Sequence, residues 1–402
     1  EVVRVNEINE EEAELVLTYA SIVLEQKYKI KITFGAIRAA VELAKKYFRD
    51  KLLPASADDL LREAVADVVG RENEFVRRDD IVAIAEKRVN IPIREVDGKE
   101  AVKLLNLEEI IHRRLINQEE AVSAVAESLR EYRSGLSREK GPIAAFLFVG
   151  PTGVGKTELA KILAEVQFGS EEAMVRLDMS EYQEIESIHR LIGAPDGEMG
   201  GALTDAVREK PYCLVLLDEF EKAHPDIWNL FLQVFDDGRL TDNLGRTVDF
   251  TNTIIIATSN AHSEVIHRAL SKGESVASIA EYLKKILVDV FRPELLNRFS
   301  DIIVFRDLKP NELDAIVRLR LKELAELLEE KQNVTLVYTP QVTELIVKLG
   351  YDPSFGARPI SRVIRDKIRE PLSEKIISGE IKRGNRVLVD AVGEEIKITT
   401  TV

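Results

Sequence analysis

A glycine-rich segment in the middle of the chain has the composition and spacing of a phosphate-binding loop. It reads GPTGVGKT over residues 150–157, follows an apolar run and opens a helical stretch. Glycines let the backbone curl so that several N–H groups face one anion, and the start of the helix adds partial positive charge. Lys156 is expected to reach the β- and γ-phosphates of a nucleotide, and Thr157 to offer its hydroxyl to Mg²⁺. The pattern therefore predicts a site that binds ATP or ADP together with Mg²⁺.

Two other apolar runs end in polar residues that suit the same chemistry. Residues 214–217 are followed by Asp218 and Glu219, and residues 253–257 lead to Asn260. Parallel strands present their carboxyl ends at one edge of a sheet, so these side chains are expected beside the phosphate loop. There Asp218 would hold Mg²⁺, and Glu219 would orient and deprotonate the attacking water. Asn260 would position that water or sense the γ-phosphate, the alternative being an ordinary turn residue.

The elements that must position these residues alternate between strand and helix. Short apolar runs, typical of buried strands, are separated by helical stretches between residues 105 and 310. The runs are Ile143–Val149, Met174–Leu177, Leu214–Leu217, Thr253–Ala257 and Ile302–Phe305. This alternation predicts an α/β fold with a parallel sheet flanked by helices.

Mostly helical segments are predicted along the chain both before and after the region that contains the strands. Helical periodicity runs from Ala13 to Leu24, and further helices are expected at Phe34–Phe48 and Ser56–Val69. A long charged amphipathic helix is expected at Asn311–Lys331, followed by further helices and short strands. The predicted divisions are a helical domain at 1–92, a linker at 93–105, a large nucleotide-binding domain at 106–310 and a mostly helical small domain at 311–402.

Composition restricts the classes of function. The 402 residues carry a formal net charge of −14, so no general affinity for nucleic acid or an anionic membrane is expected. No apolar run approaches the ~18 residues of a membrane span. Cys213 is the only cysteine and lies in an apolar run, which favours a buried core residue in a reducing, cytoplasmic setting. The five histidines show no metal-ligand spacing.

Longer phrases resemble the AAA+ ATPases, and within them the second ATPase module of Clp unfoldases of the ClpB and ClpC type. The phrases are FVGPTGVGKTELA at 148–160, LDMSEY at 177–182, LDEFEKAHP at 217–225, LQVFDDGRL at 232–240, FRPELLNR at 291–298 and GYDPSFGARP at 350–359. The match runs from about residue 107 onward, and residues 1–92 resemble the helical lid of the first module. The resemblance implies an ATP-dependent unfoldase or disaggregase that hydrolyses ATP to remodel protein substrates.

The resemblance also assigns residues to the nucleotide site. The implied contacts along the loop are Gly150, Pro151, Thr152, Gly153, Val154, Gly155, Lys156, Thr157 and Glu158. Leu115 and Ile116 resemble the adenine-contacting turn, with Asn117 in place of the usual glycine. Arg298 resembles an arginine finger that acts on ATP in a neighbouring subunit, and Arg358 a sensor arginine that contacts ATP in its own subunit. The implied catalytic set is Glu219, Lys156, Asn260, Arg298 and Arg358.

The same resemblance implies partners. The arginine finger implies a ring, by similarity a hexamer, with a monomer as the alternative. The family resemblance implies that the substrates are unfolded or aggregated proteins. The loop that grips polypeptide corresponds to Gly197, Glu198, Met199 and Gly200. Glu198 replaces an aromatic residue whose ring gives sequence-tolerant grip, so the alternative function is an ATP-switched scaffold or regulatory ring that does not thread polypeptide. Residues 261–286 contain no docking loop for the Clp peptidase, and no such docking is expected.

Overall fold

The computed structural model describes residues 8–48, 51–89, 98–136, 140–352 and 356–401. The chain divides into two compact units, Glu1–Asp97 with Gln167–Gly169, and Gly98–Val166 with Ser170–Val402. No helix in the described ranges is both long and apolar enough to cross a bilayer.

The first unit is a helical domain with one short pair of parallel strands. In chain order its elements are α1 (Glu10–Tyr28), β1 (Lys31–Ile32), α2 (Phe34–Tyr47), α3 (Ala55–Gly70), β2 (Phe75–Val76) and α4 (Arg78–Val89). Asn9 and Glu12 form a capping box at the start of α1, and Thr33 caps α2. The helices predicted at 34–48 and 56–69 are confirmed to within one residue at each end.

The second unit is built on a parallel sheet of five strands. The strands in this part of the chain are β3 (Ala144–Val149), β4 (Met174–Asp178), β5 (Leu214–Asp218), the hairpin β6 (Arg239–Thr241) and β7 (Thr247–Asp249), β8 (Ile254–Ser259) and β9 (Asp301–Val304). The sheet has the order β4-β5-β8-β3-β9, and all its neighbouring strands are parallel. Every residue of β3 and β8 is buried, as expected for strands covered on both faces. The predicted fold class is confirmed.

Helices flank this sheet. They are α5 (Gly98–Leu105), α6 (Leu107–His112), α7 (Glu119–Arg133), α8 (Lys156–Phe168), α9 (Ser187–Ile192), α10 (Ala202–Glu209), α11 (Pro225–Asp237), α12 (Ser263–Ser271), α13 (Val276–Ile286) and α14 (Pro293–Leu296). Residues 93–97 of the predicted linker lie outside the described residues. Residues 98–105 form α5, because after Gly98 they are all helix-compatible and include neither glycine nor proline.

The C-terminal part of the second unit has a core of its own. Its elements are α15 (Pro310–Gln332), β10 (Thr335–Tyr338), α16 (Pro340–Gly350), α17 (Arg358–Ile364), a π-helical turn at Arg365–Arg369, α18 (Glu370–Ile377), β11 (Arg386–Val392) and β12 (Glu395–Thr401). Leu313, Val317 and Leu321 project from one face of α15 into this core. The predicted helix at 311–331 is confirmed. The predicted boundaries between domains stay predictions.

Candidate functional site

The carboxyl ends of β3, β5 and β8 surround a cavity of about 580 Å³. Parallel strand ends meet there because the sheet order places β3 and β5 on either side of β8. Most of the predicted site residues line this cavity: Leu115, Ile116, Thr152, Gly153, Val154, Gly155, Lys156, Thr157, Glu158, Asp218, Glu219, Asn260 and Arg358. Residues far apart in the chain therefore share one cavity.

The phosphate loop connects the end of β3 to the start of α8. Gly150 packs directly against Phe305, and a Cβ atom at this position would lie 2.5 Å from the Phe305 carbonyl oxygen. A glycine is therefore needed where the loop leaves the strand. The 13-residue helix α8 begins at Lys156, so its N-terminal N–H groups and partial positive charge favour an anion in the cavity.

The ammonium group of Lys156 is buried and hydrogen-bonded within the loop. Its Nζ donates to the carbonyl oxygens of Gly150 and Pro151, the latter at 2.9 Å, and to Oδ1 of Asn260 at 2.7 Å. Gly150 and Pro151 do not line the cavity themselves, but their carbonyls hold the lysine in place.

The electrostatic surroundings of Lys156 shift its titration. Burial lowers the pKa of Lys156 from 10.5 to about 8, although the carboxylates of Glu221 and Asp218 act in the opposite direction. Arg358 adds to the lowering, so the guanidinium of α17 acts on the lysine of the phosphate loop. A bound polyphosphate would add negative charge beside these two cations and favour the protonated lysine.

The two carboxylates at the carboxyl end of β5 have different environments. Oδ1 of Asp218 accepts a hydrogen bond from Oγ1 of Thr258 at 2.6 Å, and Oδ2 accepts one from Arg176 at 2.7 Å. The backbone N–H of Glu219 donates to the same Thr258 hydroxyl oxygen at 3.1 Å. The Glu219 side chain forms an ion pair with Lys222. Thr258, one strand away on β8, thus links both acidic residues to the sheet.

Glu219 has a strained backbone held in place by its neighbour. Its φ of 56° lies in the left-handed region, which costs a non-glycine residue about 1–2 kcal/mol. The next residue, Phe220, is fully buried, and its ring lies 5.6 Å from that of Phe231 and 5.8 Å from that of Phe291. Trp228 Nε1 donates to the Phe220 carbonyl oxygen at 3.1 Å. Such strain is often found where a side chain must be aimed at a reaction.

The oxygen atoms of the site suit Mg²⁺. The Thr157 hydroxyl and the Asp218 carboxylate line one cavity, and Mg²⁺ prefers hard oxygen ligands, using one or two carboxylates together with phosphates and water. Oε2 of Glu221 is buried and has no hydrogen-bond partner in the described structure, while its Oε1 accepts from the Asn260 N–H at 3.0 Å. Within the described ranges no group of three or more His, Cys, Asp or Glu residues could hold a metal. Thr157 and Asp218 therefore fit a Mg²⁺ site in which the protein supplies few ligands and the nucleotide phosphates supply others.

Gln118 is a residue of this site that the sequence did not reveal. It is 1% exposed. Its Nε2 donates to the carbonyl oxygens of Val154 at 3.2 Å and Arg306 at 2.9 Å, and its Oε1 accepts from the Arg306 N–H at 3.1 Å. Asn117 before it has a φ of 68°, a left-handed angle that asparagine adopts more readily than most other residues. Gln118 thus ties the turn after Ile116 to the phosphate loop and to the segment between β9 and α15.

The C-terminal part of the second unit, which begins at α15 and is called the lid from here on, contacts the phosphate loop through its backbone. Gly356, with a φ of 58°, lies so close that a Cβ atom would be 2.8 Å from the Thr152 carbonyl oxygen. The Ala357 N–H donates to the Gly153 carbonyl oxygen at 3.2 Å. This contact brings Arg358, the first residue of α17, to the wall of the cavity.

Two groups of predicted residues lie outside the cavity. Arg298 follows α14, and its Nε lies 2.9 Å from Oδ1 of Asp236, with 43% of the side chain exposed. The loop Gly197–Gly200 lies between α9 and α10 and is closed by a 2.9 Å hydrogen bond from the Ala194 N–H to the Met199 carbonyl oxygen. Glu198 at its tip is exposed.

Comparison with known families assigns most of the chain. Residues 9–105 match an AAA lid domain, residues 141–302 an AAA domain of the Cdc48 subfamily, and residues 308–389 the C-terminal D2-small domain of ClpB protein.

Known proteins are similar over nearly the whole chain. The chaperone protein ClpB of Meiothermus ruber is 46% identical over 88% of this chain and 43% of its own length. The ATP-dependent Clp protease ATP-binding subunit ClpC of Staphylococcus aureus (strain USA300) is 38% identical over 93% of this chain and 54% of its own length. The chain thus spans about half or less of these curated relatives.

A solved structure, the S. cerevisiae Hsp104:casein complex in its extended conformation, has a TM-score of 0.81 and is 33% identical. The likeness covers 98% of this chain and 70% of that one. With the three family matches and the site geometry, this places the chain in the ClpB and Hsp104 family of AAA+ proteins.

Proposed function

We propose that this chain is the ATP-hydrolysing part of a protein unfoldase or disaggregase of the ClpB type. The observation that carries the proposal is the convergence of Lys156, Thr157, Asp218, Glu219 and Asn260 on one cavity. A phosphate loop, two carboxylates and an amide at adjoining strand ends are the parts that nucleotide hydrolysis requires. The ATP-binding subunit named among the relatives supports the choice of nucleotide.

Nucleotide binding falls to the loop and its neighbours. The loop N–H groups and the start of α8 cradle the phosphates, while the buried ammonium of Lys156 offsets their charge. Leu115 and Ile116 form an apolar part of the wall, and Arg358 approaches from α17. The lid contact through Gly356 keeps Arg358 close to the loop.

Mg²⁺ would be held by the Thr157 hydroxyl and the Asp218 carboxylate. When bound, it neutralises charge on the phosphate oxygens. Asp218 is oriented for this role by the Thr258 hydroxyl on one of its oxygens and by Arg176 on the other.

Glu219 is the proposed general base. It is on the cavity wall next to Asp218, where a carboxylate can orient a water and take its proton as the phosphoryl group is attacked. Asn260, anchored by its side-chain oxygen to Lys156 and by its N–H to Glu221, is placed to position the water or sense the γ-phosphate. Lys156 and Arg358 would stabilise the negative charge of the transition state.

Arg298 is proposed to act on ATP in a neighbouring subunit of a ring. Its exposure and its position outside its own cavity support that role, since a guanidinium supplied from outside can contribute about 10³–10⁵ in rate. We take the ring to be a hexamer. We also propose a cytoplasmic location, since Cys213 is the single cysteine of the sequence and no internal disulfide can form.

Unfolded or aggregated proteins are the proposed substrates. The Hsp104 structure reported above is a complex with casein, and its fold covers nearly all of this chain. The alternative of a non-threading scaffold depended on Glu198 alone, and no relative reported above favours it. We propose that the loop Gly197–Gly200 contacts polypeptide, with Met199, which is 41% exposed, as its apolar residue.

The proposed domain organisation keeps the boundaries 1–92, 93–105, 106–310 and 311–402. It is supported by the separate hydrophobic core that begins at Leu308 and by the start of α15 at Pro310.

The hydrolytic step is tested with Glu219→Gln in the 402-residue chain. This variant is expected to bind a fluorescent ATP derivative within about threefold of the wild-type affinity and to lose at least about 99% of its ATPase rate. Glu281→Gln, an exposed change on α13, is the matched control and should hydrolyse ATP normally. Hydrolysis at the wild-type rate by Glu219→Gln would remove Glu219 from the mechanism.

Polypeptide remodelling is tested separately by ATP-dependent unfolding of a tagged fluorescent protein. Wild-type activity above the background of the Glu219→Gln variant is expected, with a higher rate for Glu198→Tyr because an aromatic ring strengthens grip. ATPase activity without any unfolding, even by Glu198→Tyr, would favour the scaffold alternative.

A further inference from the structure

Arginines from two other elements hold the carboxylate of Glu158 on the phosphate-loop helix. Its Oε2 lies 3.2 Å from Nη2 of Arg320 on α15, and its Oε1 lies 3.6 Å from Nη2 of Arg114 in the turn after α6. The Glu158 side chain is 18% exposed, against 32% for Arg114 and 31% for Arg320. We call Arg114, Glu158 and Arg320 the clasp.

All three residues of the clasp line the nucleotide cavity. Glu158 directly follows Thr157, and Arg114 directly precedes Leu115. Arg320 lies on the same helix as Ile316 and Leu319, which also line the cavity. The clasp therefore joins three separate parts of the wall: the phosphate-loop helix, the turn at Leu115, and α15.

Each arginine of the clasp is fixed by further acidic partners. Nη1 of Arg320 lies 3.2 Å and 2.9 Å from the two carboxylate oxygens of Glu323, and Arg114 also pairs with Glu165 and Glu171. The guanidinium groups are thus oriented by the protein itself, which limits the entropy lost in pairing with Glu158.

The charge of Glu158 needs such partners. A carboxylate beside a phosphate site repels the ligand unless its charge is neutralised. The two guanidinium groups, which are shared with Glu165, Glu171 and Glu323, offset part of that repulsion and make Glu158 a contact between elements. Glu158 is therefore unsuited to bind phosphate through its side chain.

We infer that Glu158 and Arg320 are positioning residues whose ion pair holds α15 against the phosphate-loop helix and so prolongs the residence of nucleotide in the cavity. This inference rests on the proposed nucleotide site and deepens it, because it assigns Glu158 a role through the lid. An outward movement of α15 that enlarges the cavity must separate Arg320 from Glu158. Breaking the pair therefore makes opening easier and nucleotide release faster.

The test is a double-mutant cycle in the 402-residue chain, with Glu158→Gln, Arg320→Gln and the double variant. Release of a fluorescent ADP derivative in the presence of Mg²⁺ is followed by stopped flow after mixing with excess ADP. Each single variant is expected to release nucleotide about five- to tenfold faster, as suits a partly exposed charge-assisted pair. The double variant should be no more than about twofold faster than the faster single variant, because the pair can be lost only once.

Two further variants separate this role from a general loss of stability. Arg318→Gln removes an exposed arginine of the same helix, paired with Asp314 and absent from the cavity wall, and should leave release unchanged. Arg320→Lys keeps the charge and should stay within about threefold of wild type. If Glu158→Gln failed to fold, the contrast between Arg320→Lys and Arg320→Gln would still decide, since equal release by both overturns the inference.

The outcomes distinguish this inference from the proposed function. Nucleotide binding by the wild-type chain with independent, multiplicative effects of the two single changes overturns the clasp and leaves the ATP site intact. Absence of binding by the wild-type chain overturns the ATP site and the clasp together.

Discussion

The titration of Lys156 is expected to make nucleotide affinity depend on pH above neutrality. Burial lowers the pKa of this lysine from 10.5 to about 8, so the free site begins to lose its positive charge just above neutrality. Bound phosphates favour the charged form and raise the pKa of the lysine in the complex. Affinity is therefore expected to be nearly full at pH 7 and to fall as the pH rises through 8.

The size of the effect follows from the protonated fraction of the free site. With a pKa of about 8, about nine tenths of the lysines carry a proton at pH 7 and about one tenth at pH 9. If the complex keeps its proton throughout, affinity falls about tenfold between these two values, or about 1.4 kcal/mol. The same lowered pKa has the opposite effect on stability. Between pH 8 and 10.5 the unfolded chain binds more protons than the folded chain at this lysine, so its contribution makes the free energy of unfolding rise with pH.

The assay is equilibrium titration of a fluorescent ADP derivative with the wild-type chain from pH 7 to 9.5, at constant ionic strength and Mg²⁺. This range lies well above the phosphate ionisation near about pH 6. No histidine, cysteine or tyrosine is among the described residues of the cavity wall, so Lys156 is the group expected to dominate. Lys156→Arg is the control, since arginine stays charged and its affinity, although weaker, should not vary with pH.

A flat wild-type profile from pH 7 to 9.5 would refute the reasoning, because it would mean that the lysine keeps its proton in the free site. An equal decline in the Lys156→Arg variant would also refute it, since another group would then be responsible.

Three further changes test the surroundings of the site. Gly356→Ala should weaken nucleotide binding at least about tenfold by titration, because the methyl group meets the phosphate-loop backbone and the residue has left-handed angles; wild-type affinity would show that the lid contact is dispensable. Gln118→Met should lower the free energy of unfolding in urea by about 2–4 kcal/mol, since it removes the partner of one buried and two partly buried backbone groups, whereas Thr343→Val, which removes a hydroxyl that donates to the Pro340 carbonyl oxygen, should cost about 1 kcal/mol. Phe220→Ala should cost about 3–5 kcal/mol, followed by fluorescence of the single tryptophan that packs on this ring; a cost below about 1 kcal/mol would contradict its role as the anchor of the turn.

Local patterns in the sequence were enough to predict most of the elements. The five strands of the large sheet lie in short runs of mainly apolar residues, and the observed strands begin and end within two residues of those runs. The loop at residues 150–157 is recognisable because glycine, lysine and threonine must stand at set spacings for the backbone to surround a phosphate. Periodicity and glycine spacing are properties of neighbouring residues, so they can be read before the chain is folded.

Partners that are distant in the chain could not be predicted in this way. Gln118 bonds to residues 36 and 188 positions away, and Thr258 contacts Asp218 from another strand. Neither residue belongs to a local pattern, because its role depends on which strands and turns become neighbours in the sheet. Glu158 shows the same limit: the resemblance implies a nucleotide contact, which stays a prediction, but it does not reveal that Arg114 and Arg320 hold the carboxylate.

The sequence by itself determined that this protein has a phosphate loop, acidic strand ends and the elements of a AAA+ fold, since each depends on short-range spacing. Only the tertiary structure decided how these parts share one cavity and what electrostatic conditions prevail there. Lys156 has its lowered pKa because folding buries it, and Glu219 has its left-handed angles because Phe220 is packed behind it. Burial and long-range pairing exist only once the chain is folded, which is why no local pattern contains them.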